Sequence, residues 1–246
     1  MKYIVYLGVA ILICYTIYYL YFETNLIKQK IPKNIIQTWK TNEIPEKCIN
    51  YMKSIKEKHP DYNFIFFNDE EIETFIQNYY PKYYETYKKL PIKIQKIDFF
   101  RYIAIYHYGG FYLDLDMFCK QSFDELLQYE CVFPVDDYID KIKQKQTRYI
   151  SFKNQNQDFL LGQYAFGSVS QHPFLLEIIE GIHKNVNVYV KNINANSDDY
   201  IYQTTGPDYI TQKYIDSKNK NNITILHAKR QHFGKYAKHM YMGSWK

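Results

Sequence analysis

From Asp98 to Asp116 the chain reads DFFRYIAIYHYGGFYLDLD. Residues 98–108 are mostly apolar and aromatic and contain neither glycine nor proline. They read as the end of a helix opened by Pro91, with Ile94, Ile97, Ile105 and the intervening aromatics on its buried side. Gly109-Gly110 stops that helix, because glycine takes the left-handed cap at little cost. Phe111 to Leu115 then reads as a strand, and Asp114 and Asp116 stand at its end. Residues i and i+2 of an extended chain face the same side. Two carboxylates placed so repel when both are ionised and partly desolvated, and a divalent cation removes the repulsion. Mn²⁺ or Mg²⁺ suits carboxylate, water and phosphate oxygens, and can hold a nucleotide diphosphate. An Asp-x-Asp triplet is common on its own. Here it gains weight from apolar Leu113 and Leu115, from the Gly-Gly turn, and from a strand end, where α/β folds place ligands.

Working outward, Ile31 to Trp39 and Tyr62 to Phe67 read as core strands, with helical spacing over Pro45 to Lys58 between them. Asp69 suits a helix start, with Ile72, Phe75 and Ile76 as the apolar face. Further strands are expected at Val132–Val135 and Ile223–Leu226, and helices at Pro173–Val190 and Gly206–Asp216. Strands and helices alternate, so the fold class is α/β with a central mixed sheet. Asp136-Asp137 reads as a second acidic pair opening a polar loop and solvated; the stretches 141–145 and 192–199 read as surface loops.

Tyr3 to Phe22 (YIVYLGVAILICYTIYYLYF) holds twenty residues without a charge, enough to span a hydrocarbon core of about 30 Å. The expected organisation is an N-terminal membrane anchor over 1–23, a linker over 24–30 and one catalytic domain over 31–246. No small-x-small site closes the apolar stretch, which argues against a cleaved signal peptide. Lys2 precedes the span while Lys28, Lys30 and Lys33 follow it; counted simply, these keep the C-terminal side in the cytosol. The net charge of +5 comes from scattered lysines, without the concentrated basic face that nucleic acid requires. The cysteines at 48, 119 and 131 show no metal spacing and leave one bridge unassignable.

The run DFFRYIAIYHYGGFYLDLD resembles the signature of glycosyltransferase family 32, the sugar-binding DXD group. Ile31-Pro32-Lys33 through Gln37-Thr38-Trp39, Thr205-Gly206-Pro207, His239 and Gly243-Ser244-Trp245 resemble further family segments, in family order. The resemblance implies a GT-A fold and retaining transfer of a hexose, mannose first, to a glycan or glycolipid acceptor. The donor would be GDP-mannose or a UDP-hexose, with a lumenal type II orientation in the Golgi or endoplasmic reticulum. Asp114 and Asp116 would contact the metal (Mn²⁺ or Mg²⁺), the ribose or both, with Asp116 the more direct ligand. Asp98 and Arg101 would hold sugar hydroxyls or phosphate. Tyr112 would face the donor and Trp39 would stack on its base, with Gln37, Thr38 and Gly206 also on the donor. His239 would be a further metal or diphosphate contact, and Ser244 and Trp245 would meet the β-phosphate. The chain departs from the family at Ile36, where His is usual, and at Gln163, where Asn is usual.

Each role has a plainer competitor: a surface ion pair for Asp98–Arg101, core aromatics for Tyr112 and Trp39, a satisfied histidine for His239. A glycoside hydrolase needs its carboxylates about 5 Å or more apart, flanking the bond, which an i, i+2 pair on one side does not offer. A nucleotidyltransferase shares the metal logic without the Thr-Gly-Pro and Gly-Ser-Trp segments. A UDP-galactosyl- or glucosyltransferase of the same fold, and a non-catalytic membrane protein, stay open.

Overall fold

A computed structural model describes residues 13–16, 29–194 and 197–242. The expected anchor over 1–23 therefore falls mostly outside the described residues, as do Ser244 and Trp245. Among the described residues no helix is long and apolar enough to cross a membrane.

The elements, in chain order, are β1 (Asn34–Thr38), α1 (Glu46–Lys58), β2 (Asn63–Phe67), α2 (Asp69–Tyr79), α3 (Pro81–Lys89), α4 (Lys93–Tyr108), β3 (Gly110–Leu113), β4 (Met117–Cys119), β5 (Cys131–Tyr138), α5 (Ile150–Asn154), β6 (Phe159–Leu161), β7 (Ala165–Ser168), α6 (Pro173–Lys191), α7 (Asp198–Thr204), α8 (Pro207–Asp216), β8 (Ile223–Leu226), β9 (His232–Phe233) and β10 (Ala237–His239). The main sheet runs β2-β1-β3-β7-β5, with β8 on the far side of β5 and β6 continuing along β5 beyond β7. β1, β2 and β3 are parallel, and β7 turns the sheet antiparallel at β3. A small sheet, β4-β10-β9, joins the C-terminal segment to the residues just after Asp116.

Side chains on these strands alternate between two cores, as a period of two requires. Ile36, Tyr112, Cys131, Phe133 and Phe166 pack with α2, α3, α4 and α6. Ile35, Phe111, Leu113, Val132 and Ala165 pack on the other face with Ile55 of α1 and with Phe123 and Phe233. Helix α4 is buried nearly all round, from Gln95 to Ile105. Its polar residues Asp98 and Arg101 therefore sit inside the protein, and the surface ion pair considered for them is excluded.

Strand β3 ends at Leu113, two residues short of the expected Leu115. The Asp114 N–H bonds the Tyr164 carbonyl (2.8 Å), and the Met117 N–H returns to the Asp114 carbonyl (3.1 Å), which closes a turn over both aspartates. The cap of α2 is Asn68 rather than Asp69, reciprocated by Glu71, a pairing that satisfies two free helix-end donors. β5 extends past Val135 to Tyr138, because β6 pairs with it and a bulge falls between Val135 and Asp137. Asp136 and Asp137 are thus strand residues, not the start of a solvated loop. The expected 192–199 loop gives way to α7 from Asp198. Cys48, Cys119 and Cys131 are buried and free.

Gly109 (φ +62°) and Gly110 (φ +103°) turn α4 directly into β3. A Cβ on Gly110 would fall on the Asn34 carbonyl of β1, while the Asn34 amide donates to the Tyr108 carbonyl (3.1 Å). The helix end is thus clamped to the start of the sheet. Gly110→Ala should therefore destabilise the protein by roughly 3 kcal/mol or more, strain and clash together, read as a lowered midpoint in denaturant unfolding. A midpoint equal to that of the unsubstituted protein would rule out this close approach.

Candidate active site

Parallel pairing carries the ends of β1 and β3 to one edge of the sheet. The register Ile36↔Tyr112 brings Thr38 to the level of Asp114, so Trp39 and the aspartate turn emerge side by side. The Thr38 and Tyr112 hydroxyls share a hydrogen bond (3.1 Å). Tyr112 in turn donates to Asp114 Oδ1 (3.0 Å).

Arg101 reaches this edge from α4. Its guanidinium lies 3.3 Å from Asp98 Oδ1 and 3.4 Å from Asp114 Oδ1. One Nη donates to the Gln163 carbonyl (3.0 Å), and the group sits 4.7 Å over the Tyr112 ring. The Thr205 hydroxyl donates to Asp98 Oδ2 (2.7 Å), giving the Thr-Gly-Pro segment a structural reason to be near. Asp98 Oδ1 and Arg101 Nε are buried and form no hydrogen bond. Buried polar atoms in native folds are seldom left so.

Asp116 is held from the C-terminal side. Pairing of β10 with β4 sets His239 opposite Met117. His239 Nε2 lies 2.9 Å from Asp116 Oδ1 and 4.0 Å from Asp114 Oδ2. The backbone N–H of Met242 donates to Asp116 Oδ2 (2.8 Å). The imidazole stacks on Tyr164 (4.8 Å between centroids, 6° between planes), and its buried Nδ1 has no partner. Ligand atoms of Asp114, Asp116 and His239 all lie within 4.8 Å of one another. Two carboxylates and an imidazole fit Mn²⁺ or Mg²⁺ by donor type, so the residues present can hold such an ion.

The electrostatics follow from burial and pairing. Burial raises the Asp98 carboxyl to about 6, against the pull of Arg101. Burial also raises Asp114, opposed by Arg101 and His239. For Asp116 burial is outweighed by the hydrogen bond and charge of His239 and by the Met242 N–H, so its carboxyl is held below the ordinary range. Burial disfavours the His239 cation, but Asp116 and Asp114 outweigh it and raise its pKa. The two carboxylates thus favour the cationic form of His239 between them.

Two adjoining cavities result. One, of about 200 Å³, is lined by Thr38, Trp39, Arg101, Tyr112, Asp114, Asp116 and His239, with Cys48 and Met242. The other, of about 150 Å³, is lined by Asp98, Gln163, Tyr164, Gly206 and several residues that sequence reasoning missed: Asp136, Asp137, Arg148, Tyr202 and Arg230. The two share Ile94, Arg101, Asp114 and Tyr241. Gln37, expected on the donor, lines neither. By strand alternation its side chain shares a face with Ile35, away from Thr38, and its amide nitrogen is buried without a partner. Gly206 belongs to the second cavity rather than beside Trp39. Asp136 follows the apolar run CVFPV as Asp114 follows that of β3, but β5 continues past it to Tyr138 and its place depends on pairing with β6.

Residues 45–133 match the family model described as a glycosyltransferase sugar-binding region containing a DXD motif. The chain is 37% identical over 152 residues to inositol phosphoceramide mannosyltransferase 3 of Schizosaccharomyces pombe, covering 62% of this chain and 37% of that protein. It is 31% identical to a mannosyl phosphorylinositol ceramide synthase of Saccharomyces cerevisiae, covering 79% and 45%. The chain thus spans less than half the length of these two fungal relatives. An uncharacterised glycosyltransferase of Acanthamoeba polyphaga mimivirus is 28% identical, covering 82% and 73%. Among solved structures, the PaToxG glycosyltransferase superposes with a TM-score of 0.54 at 19% identity, covering 78% and 74%. That likeness concerns the fold alone, and it agrees with an α/β fold of GT-A type.

The raised Asp98 carboxyl has a thermodynamic signature. A carboxyl harder to ionise in the folded protein than in the unfolded chain costs stability as pH rises from about 3.8 through about 6; below that window the cost is absent. Asp98→Asn removes the group. The thermal midpoint of the variant minus that of the unsubstituted protein should therefore grow between pH 4 and pH 7. A difference that stays flat or shrinks would show that Asp98 ionises as freely as in the unfolded chain.

Proposed function

We propose that this chain, whose residues 45–133 match the glycosyltransferase sugar-binding region containing a DXD motif, transfers a hexose, mannose first, from a nucleotide-sugar donor to a glycan or glycolipid acceptor. The observation that carries this is convergence. Trp39, Arg101, the Asp114–Asp116 turn and His239 come from four separate segments of the chain and line one cleft. The names of the two fungal relatives favour mannose and an inositol-phosphate lipid acceptor, and with mannose the donor is GDP-mannose. A single N-terminal anchor over 1–23, with the domain in the secretory lumen, completes the proposal. The uncharged stretch from Tyr3 to Phe22 supports the anchor.

In this reading half-buried Trp39 receives the nucleotide base at the mouth of the cleft. Asp114, Asp116 and His239 would hold Mn²⁺ or Mg²⁺, which when bound neutralises charge on the diphosphate. Arg101 sits at the seam of the two cavities, where the bond between the sugar and the diphosphate would lie. Its fixed guanidinium stabilises negative charge developing on the departing oxygen, and such preorganised stabilisation is usually the largest catalytic contribution. Asp98, pinned by Thr205 and paired with Arg101, keeps that guanidinium in place. The acceptor hydroxyl attacks the anomeric carbon on the face that the diphosphate leaves, which retains configuration. Among the described residues none stands out as a covalent nucleophile.

The test is release of GDP from GDP-mannose, alongside a panel of UDP-hexoses. Release should require Mn²⁺ or Mg²⁺ and stop with EDTA. Asp116→Ala should lose at least about a hundredfold in rate, and Arg101→Lys a similar factor, because a point charge cannot replace the planar fork. Full activity in EDTA, or in Asp116→Ala, would falsify the reading.

A further inference from the structure

We infer that the second cavity binds the acceptor and that Asp136 holds it there through hydroxyl groups. This rests on the transferase reading above. The first cavity has the aromatic face and the carboxylate–imidazole trio suited to a nucleoside diphosphate. The two cavities meet at Arg101 and Asp114. A sugar joined to that diphosphate therefore has its anomeric carbon at the seam, and an incoming hydroxyl must approach from the second cavity.

Asp136 is built to face that approach. It is the residue at which the β5–β6 register slips, Val135 opposing Leu161 and Asp137 opposing Leu160. A bulge of this kind re-aims one side chain out of the strand alternation, and bulges concentrate beside active sites. The Asp136 side chain lines the cavity, and among the described residues it takes part in no hydrogen bond or ion pair within 4.0 Å. Its neighbour Asp137 is engaged by Lys143 (2.6 Å). Arg148, on the same wall, is fixed by two bonds to Asp208 (2.8 and 2.5 Å) and by the Tyr202 ring (4.3 Å). Arg230 lines the cavity and faces Asp136 as a countercharge. The wall thus presents a carboxylate whose acceptor sites are free, in a pocket with aromatic and cationic sides. Adjacent hydroxyls of a polyol match it: each donates one hydrogen bond, and a carboxylate accepts two or more.

In transfer, the anomeric carbon–oxygen bond breaks with its electron pair going to the diphosphate. The acceptor oxygen bonds to that carbon, and its proton passes to the departing diphosphate. Asp136 takes no proton; it holds hydroxyls next to the reacting one, so it is a positioning residue.

The full chain is assayed for binding of two soluble polyols, methyl α-D-mannopyranoside and myo-inositol, by saturation-transfer NMR with and without GDP and Mn²⁺. Donor KM and the hydrolysis of GDP-mannose are measured in parallel. In Asp136→Ala and in the isosteric Asp136→Asn, polyol affinity should fall at least about tenfold, since buried polar partners are left unpaired. Donor KM should rise by a smaller factor than polyol affinity falls, because Asp136 lines the second cavity and not the first. Thermal unfolding of Asp136→Asn separates loss of binding from loss of fold. Binding of neither polyol by the unsubstituted protein overturns the assignment, as does unchanged affinity in both variants. So does a rise in donor KM with polyol affinity intact, which would move Asp136 to the donor sugar. Failure of the transferase reading itself shows separately, as absence of nucleotide release from every donor.

Discussion

The guanidinium of Arg101 is the fixed point of this molecule. It is buried in the flank of α4, where an unpaired charge would cost far more than a domain's net stability. It must therefore be met by countercharge and acceptors: by Asp98 one turn away, by Asp114 from the end of β3, by the Tyr112 ring and by the Gln163 carbonyl. Those partners come from a helix, a strand, a turn and the link between β6 and β7. Satisfying one cation ties four segments into one geometry, and the position of Asp114 follows from it. Burying an ion pair is weak support for stability in itself. Here its worth is in placing groups.

The charges do not balance around that point. Asp98, Asp114 and Asp116 face Arg101 and His239, so one negative charge remains even with the imidazole protonated. Burial raises the Asp98 and Asp114 carboxyls, with a smaller contribution from that surplus, while for Asp116 the hydrogen bond and charge of His239 outweigh burial. A site with an uncompensated carboxylate and an unpartnered imidazole nitrogen is complementary to something positive and polar. A divalent cation at Asp114 and Asp116 would supply the missing positive charge. A satisfied structural histidine, the plain alternative for His239, would not leave Nδ1 buried and alone.

Much of this was readable in the chain. The run from Asp98 to Asp116 specifies a buried helix, a glycine turn, a strand and an acidic turn, because each step has its own local chemistry. Strand alternation at Ile35-Ile36 and Phe111-Tyr112 sorts two faces without knowledge of what covers them. Other features were illegible for different reasons, the first being dependence on a partner strand further along the sequence. The bulge at Asp136 exists only against β6, and without β6 the pair Asp136-Asp137 looks like the end of a strand entering solvent. Gln37 shares a segment with Thr38 and Trp39, yet alternation turns it to the other face. Helix α3 was hidden by its position directly after α2, the break at Tyr80 being marked only by Pro81 at its first turn.

The acidic turn has one further dependence. Asp116 is braced by three contacts from the C-terminal segment: the His239 imidazole, the Met240 N–H to its carbonyl (2.9 Å) and the Met242 N–H to its carboxylate. The last spans 126 positions in sequence. Closing so long a loop costs little more entropy than closing one of half the length, so the arrangement is affordable, but nothing local enforces it. The strand β10 and the two residues that line the first cavity beyond it, Tyr241 and Met242, are held mainly by the small sheet with β4 and β9. Any ligand that binds Asp114, Asp116 and His239 together binds only the docked form of this segment. It must therefore stabilise the docking by as much as docking strengthens its binding. Site and C-terminal segment are thus two halves of one equilibrium, and the pairing of His239 with Asp116 is where they meet.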